Sequence, residues 1–278
     1  MPSNDILQIG ATMNSQVDLF NVTYGNFQKQ VLENIRRETY GEDIGQTSWI
    51  TKDEYDTFYN WLNLYPGDHL LEVASGSGGP ALYLAQNYKC RITGLDINEE
   101  GIKTANQQAR EANIMDTKFQ IANMDQRLPF EDETFDAVIC ADSMNHFRDR
   151  LAYLIEWHRV LKPGKRALFT DPVVITGSVS NEELAARSNI GFFLFVPLET
   201  TKKFIKEAGF RLIRCEDVTE NIERTSGRWH DSRQKHREDL IQIEGEERFD
   251  GLQKFFSTVH QLTSERRLSR FVFVAEKS

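Results

Sequence analysis

The chain has 278 residues, 40% hydrophobic and 27% charged, which is ordinary for a well-packed globular protein and enough for one large α/β domain with elaborations. Forty-two acidic against 33 basic side chains give a formal charge of -9, which opposes attraction to nucleic acid or to an anionic membrane, so neither is expected as a partner. Three scattered cysteines, Cys90, Cys140 and Cys215, form no CxxC pair and point to neither a disulfide framework nor a thiolate zinc site. No apolar run reaches the roughly 18 residues of a membrane span, and the first residues lack a charged-then-apolar signal, so a cytoplasmic protein is expected.

In chain order, residues 26–40 carry Phe27, Val31 and Ile35 at helical spacing among polar neighbours. A turn-rich loop from Tyr40 to Trp49 follows, and Thr51-Lys52-Asp53-Glu54 reads as a capping box ahead of a helix carrying Phe58, Trp61 and Leu62. The first 65 residues therefore read as a helical unit. From residue 66 the pattern changes to strand 69–73, helix 80–86, strand 91–95, helix 99–112, strands 118–122 and 137–140, a helix 148–161 ended by Lys162-Pro163-Gly164, and strand 166–170. Strands alternating with helices imply a mostly parallel sheet with helices on both faces. Beyond Asp171, Ser180 opens a capping box with Glu183, the stretch Ile190 to Val196 is apolar, and residues 198–208 form an amphipathic helix closed by Gly209. Strands are predicted at 211–215 and 270–275. The intervening residues are too many for a structureless loop and read as a helical insertion.

In an open parallel sheet, ligands bind beyond the carboxyl ends of the strands. The tightest loop there is Glu72-Val73-Ala74-Ser75-Gly76-Ser77-Gly78-Gly79, where Gly76 and Gly78 allow a sharp bend and Pro80 suits the first helical turn. Taken alone, such a turn can be purely structural. Asp96, ending the next strand, supplies a carboxylate placed to accept both hydroxyls of a ribose. A dinucleotide dehydrogenase would share this pairing, but Glu72 would repel a pyrophosphate and no second nucleotide-binding half is present.

At these residues the chain resembles the class I S-adenosylmethionine-dependent methyltransferases. Leu71 to Gly78 looks like their first motif, with Ala74 where a first glycine is usual. The resemblance continues through Gly94-Leu95-Asp96-Ile97-Asn98, Leu128-Pro129-Phe130, Phe135-Asp136-Ala137-Val138 and Arg159-Val160-Leu161-Lys162-Pro163-Gly164. It implies a Rossmann-like α/β fold: a mostly parallel seven-stranded sheet with helices on both faces and the last strand antiparallel. It also implies S-adenosylmethionine as cofactor, leaving as S-adenosylhomocysteine, with no metal required.

Carried over residue by residue, Glu72, Ala74, Gly76 and Gly78 would lie at the methionine end, together with the backbone of Ala141. Asp96 would bind ribose, Ile97 would flank adenine, and Asn123 with Met124 or Asp125 would hold the adenine edge. The flanks resemble the branch of phosphoethanolamine, sarcosine/dimethylglycine, tocopherol and natural-product sugar methyltransferases. In that branch the N-terminal segment closes over the cofactor, so residues 1–65 are expected to be a lid carrying Tyr40, Ser48 and Trp49. The S-adenosylmethionine-binding domain would then be 66–278, with acceptor-capping segments at about 172–200 and 217–267.

Methyl transfer is an in-line displacement, so holding the reactants collinear in a dry site supplies much of the catalysis and no triad is expected. His146, after the fourth strand, is the best-placed base; its alternative is an ordinary helix-start histidine. His230, within Arg228-Trp229-His230-Asp231, is the second candidate. A phosphobase acceptor would call for tyrosine and arginine after the fifth strand, whereas the chain places Phe192, Phe193 and Phe195 there. With Trp229 from the insertion, these residues point to a small, largely apolar acceptor methylated on oxygen, nitrogen or carbon. The alternatives are a phosphobase or glycine/sarcosine-type N-methyltransferase and, from another class, a non-catalytic cofactor-binding regulatory module. A monomer or homodimer is expected.

Overall fold

The computed structural model describes residues 20–278 except Asp125 and Ile190. After a helical turn at 20–25, α1 (Gln30–Tyr40) and α2 (Lys52–Leu62) precede β1 (His69–Val73), α3 (Gly79–Tyr88), β2 (Arg91–Asp96), α4 (Glu99–Glu111), β3 (Thr117–Ile121) and β4 (Phe135–Cys140). A 3-10 turn at Met144–His146 leads into α5 (Arg150–Val160), β5 (Leu161–Ile175), α6 (Asn181–Arg187), α7 (Leu198–Glu207) and β6 (Phe210–Asp217). Three helices, α8 (Thr219–Lys235), α9 (Arg237–Glu244) and α10 (Glu246–Ser264), separate β6 from β7 (Leu268–Lys277).

The strands form one sheet in the order β3-β2-β1-β4-β5-β7-β6, with β7 antiparallel to both neighbours, as the family pattern implies. Continuously apolar strands are what a sheet covered on both faces demands. Leu70, Ala137, Ile139 and Leu168 point into one core with residues of α2, α3 and α4; Leu71, Val138, Cys140 and Phe169 point into the other with α5 and α7.

Three local expectations are altered. The chain passes from α5 into β5 without a break, and Pro163-Gly164 lies within that strand. Phe135 pairs with Leu161 while Ala137 pairs with Arg166, so the residues between are bulged out, which suits a proline that has no N–H to give the ladder. The helix containing Phe58 and Leu62, grouped by sequence with the N-terminal lid, packs with Tyr55 into the sheet core, so the segment above the strand ends stops near Ile50. Thr51 caps α2 through its backbone carbonyl alone, and the Glu54 side chain is committed elsewhere.

Its commitment is a buried charge network. Arg270, on β7 and fully buried, donates from Nε to Asp142 Oδ1 (2.6 Å) and from Nη1 to Glu54 Oε1 (2.6 Å). The other Asp142 oxygen accepts from the Trp49 backbone N–H at 2.9 Å, and the Thr170 hydroxyl donates to Oδ1 at 2.7 Å. Asn221 of α8 donates its amide both to Glu54 Oε2 (2.7 Å) and to the Trp49 carbonyl (2.9 Å). The N-terminal segment, the insertion and the ends of β4 and β7 thus share one set of satisfied polar groups. Such networks are costly to break at one member. Arg270→Met leaves Asp142 and Glu54 buried without their cation and is expected to lower unfolding free energy in urea by about 3–5 kcal/mol. An unchanged urea midpoint would contradict this role.

Candidate active site

The strand order reverses between β1 and β4, and a cavity of about 340 Å³ lies at their carboxyl ends. It is bounded by the loops after β1, β2 and β4, by Pro172 of β5, and by the N-terminal segment and insertion.

In the β1–β2 half, Ala74, Asp96, Ile97, Asn123 and Met124 line the wall, while Asp125 lies outside the described residues. Ala74 has φ 57°, the left-handed region that favours glycine, which explains why the family motif has a glycine there. Asp96 accepts from the N–H groups of Gly76 (2.7 Å) and Asn98 (2.8 Å), fixing its orientation. A carboxylate has about four acceptor sites, so capacity remains toward the cavity. Ile97 is 45% exposed, a large apolar surface left facing a polar-edged cavity.

Glu72 lies beneath the turn rather than on the cavity wall. Its Oε1 accepts from the Tyr55 hydroxyl at 2.5 Å, while Oε2 is buried with no partner among the described residues. Burial, and then the Asp96 charge, push its carboxyl up to about 7.

The glycines divide their roles. Gly76 has φ 52°, and a Cβ there would meet the Tyr24 hydroxyl at 2.6 Å. Gly78 is absent from the cavity wall: its empty Cβ position is taken by Ala105 and Phe119, so it serves helix–sheet packing. A Cβ on Gly79 would come within 2.5 Å of the Gly45 backbone, so the loop after α1 docks backbone to backbone on the glycine turn. That loop is shaped by Asp43, which accepts from Gly45 N–H and pairs with Arg36, and by Gln46, which accepts from Ile44 N–H.

In the β4–β5 half, Ala141, His146, Phe192, Phe193, Ser48, Trp49 and Trp229 line the cavity. His146 Nδ1 lies 2.9 Å from the Phe192 carbonyl, so this nitrogen carries the proton; Nε2 lies 3.2 Å from the Asn145 amide nitrogen and acts as acceptor. Burial, and the Arg187 and Arg150 charges, push the imidazole down to about 4, against the raising effect of the Phe192 carbonyl. Trp49, Trp229, Phe255 and Phe256 pack with ring centroids 4.9–6.1 Å apart.

Besides Glu72, Gly76 and Gly78, three predicted residues do not line the cavity. Tyr40 is buried behind it, its hydroxyl donating to the Ser48 carbonyl and its ring edge-on to Trp229. Phe195 is partly buried away from the cavity wall. His230 sits on the outer side of α8, pairing with Asp231 at 3.0 Å, which removes it as a catalytic candidate: an outward helical position cannot serve a strand-end cavity. Sequence reasoning missed Tyr24, Thr47, Asn145, Arg187, Phe255 and Phe256, all of which line it. They stand in otherwise polar helices and loops and carry no local motif.

A family model described as a methyltransferase domain matches residues 71–169. The 27-O-demethylrifamycin SV methyltransferase of Amycolatopsis mediterranei (strain S699) is 27% identical, over 77% of each chain. The chain is also 27% identical to a phosphoethanolamine N-methyltransferase of Triticum aestivum, over 77% of its own length but only 42% of that longer relative. Among solved structures, Haemonchus contortus phosphoethanolamine N-methyltransferase 2, in complex with phosphomonomethylethanolamine and S-adenosylhomocysteine, matches 93% of this chain and 60% of that one, at 19% identity and a TM-score of 0.77.

Residues 71–169 thus belong to a methyltransferase domain family, and the chain is similar to S-adenosylmethionine-dependent methyltransferases beyond them.

Its residues fit that cofactor. The remaining lone pairs of Asp96 suit the ribose diol, the exposed Ile97 offers an apolar face to adenine, and the orphaned Oε2 of Glu72 gives the turn an acceptor near the methionine end. The raised Glu72 carboxyl also gives the methyltransferase a pH signature. Between 4.5 and about 7 the folded protein keeps a proton that the unfolded chain has lost, so folding stability falls as pH rises through that window. Glu72→Gln, which mimics the protonated form, is expected to raise Tm at pH 8 and to change it little at pH 5. A Tm difference that does not vary with pH would contradict this.

Proposed function

We propose that this methyltransferase methylates a hydroxyl oxygen of a small, largely apolar aromatic metabolite. The observation that carries the reading is the wall of Phe192, Phe193, Trp229, Phe255 and Phe256 facing His146 across the β4–β5 half of the cavity. When bound, S-adenosylmethionine supplies a methyl group on a positively charged sulfur.

The chain's own residues would do the rest. Asp96, Ile97, Asn123 and Met124 would hold the nucleoside, and Ala74, Gly76 and Ala141 would border the methionine end. Residues 20–50, with α8 and α10, would act as the lid that excludes water, docked through Gly45 on Gly79 and through Trp49 on Asp142. The aromatic wall would fix the acceptor ring, and His146 Nε2, unprotonated at neutral pH, would accept the hydroxyl proton as the oxygen attacks. The Phe192 carbonyl sets the tautomer that leaves Nε2 the acceptor, and the substrate hydroxyl would take the place of the Asn145 amide there.

A phosphobase acceptor is the second reading, favoured by the names of the plant relatives. The phenylalanines of the wall offer a phosphate no donor, although Arg187 and Ser143 line the same cavity. A non-catalytic module would need neither the docked lid nor an oriented His146.

S-adenosylmethionine and S-adenosylhomocysteine are expected to raise Tm and NAD to leave it unchanged; the reverse pattern would overturn the cofactor assignment. Asp96→Ala should abolish the shift. With radiolabelled S-adenosylmethionine, methyl incorporation is expected into a panel of phenols and not into phosphoethanolamine, and His146→Ala should lower kcat by about 10²–10⁴ with KM little changed. Incorporation into phosphoethanolamine alone would favour the second reading.

A further inference from the structure

Arg187, the last residue of α6, lines the acceptor half of the cavity yet is only 1% exposed. Its guanidinium lies over the rings of Phe193 (4.5 Å) and Phe255 (4.8 Å), contacts that engage its π faces and offer no hydrogen-bond acceptor. Nη1 is buried with no partner among the described residues. The neighbouring carboxylates are already committed: Asp171 to Arg150, and Asp142 to Arg270, Thr170 and the Trp49 N–H. Burial pushes Arg187 down to about 9, which still leaves it a cation at neutral pH.

A buried donor without an acceptor costs stability, and a buried charge without a partner costs more. No fold requirement explains the residue, since a methionine of similar length would pack between the same two rings. Arg187 lines the cavity, and a planar guanidinium there matches a carboxylate, whose two oxygens accept in its plane.

We propose that Arg187 recognises a carboxylate on the methyl acceptor, so that the substrate class is an aromatic acid rather than a neutral arene. The proposal rests on the reading of this cavity as the acceptor site. The aromatic wall holds the ring, Arg187 holds its acid group, and His146 faces the hydroxyl to be methylated. Arg187 is thus a specificity-determining residue that the apolar appearance of Ile190 to Val196 conceals in the sequence.

The test is calorimetric titration of the full chain, saturated with S-adenosylhomocysteine, with 1-naphthoate and with the isosteric neutral 1-naphthamide. Naphthoate is expected to bind at least about tenfold more tightly to the wild type. Arg187→Met should bring the two within about twofold by weakening naphthoate alone, and Arg187→Lys should keep part of the preference. A second readout separates recognition from scaffolding: Arg187→Met should raise the Tm of the ligand-free protein, because it removes an unsatisfied buried charge, whereas a structural arginine would lower it on removal. Equal affinities in the wild type, or a preference that survives in Arg187→Met, would overturn the proposal. Tighter binding of phenyl phosphate than of naphthoate would overturn the carboxylate assignment in favour of phosphate. Failure of S-adenosylhomocysteine itself to bind would instead refute the methyltransferase reading of the cavity, and the inference with it.

Discussion

The site depends on one buried cation. Arg270 stands on the last strand, and its guanidinium joins Asp142 from the end of β4 to Glu54 from α2. Asp142 in turn orients the Trp49 backbone, and Asn221 ties the same tryptophan and Glu54 to the insertion. Three stretches far apart in sequence are thereby held over the strand ends by polar bonds whose loss would strand charges in the interior. This arrangement sets the height of the roof over the cavity and the position of the aromatic wall beneath it. It also holds Asp142 at φ 55°, a left-handed backbone that the surrounding bonds over-determine.

Around that frame, burial decides the ionisation of the site. It pushes Glu72 up to about 7, so that the carboxyl is partly protonated at neutral pH, and His146 down to about 4, so that the imidazole stays neutral there. A neutral imidazole whose Nε2 is an acceptor and a carboxyl poised between forms suit a cavity that would receive a cationic methyl donor and an acceptor that must lose a proton. Arg187 puts a positive charge in the same cavity that Asp96 lines.

The sheet and the cofactor wall were legible because their signals are local. Strands with continuous apolar runs, the turn from Glu72 to Gly79 and the acid at Asp96 each follow from a few adjacent residues. The bulge at Pro163-Gly164 was missed because β4 and β5 create it together. Gly78 was assigned to the ligand although its missing side chain makes room for Phe119, a long-range packing demand that a turn motif does not display. Tyr40 and His230 were placed by proximity in sequence to the right segments but do not line the cavity, which helical phase and tertiary packing decide. Arg187, Phe255 and Phe256 carry no pattern at all: an arginine in the last turn of a short helix reads as solvated, and two adjacent phenylalanines in an amphipathic helix read as core.

The central claim is that one continuous cavity seats the methyl donor on the β1–β2 side and the acceptor on the β4–β5 side. A crystal structure with S-adenosylhomocysteine tests it most directly. The account predicts ribose hydroxyls on Asp96, adenine against Ile97 and the sulfur turned toward His146 and the aromatic wall. Density for the ligand elsewhere, or a sulfur facing away from that wall, would contradict it.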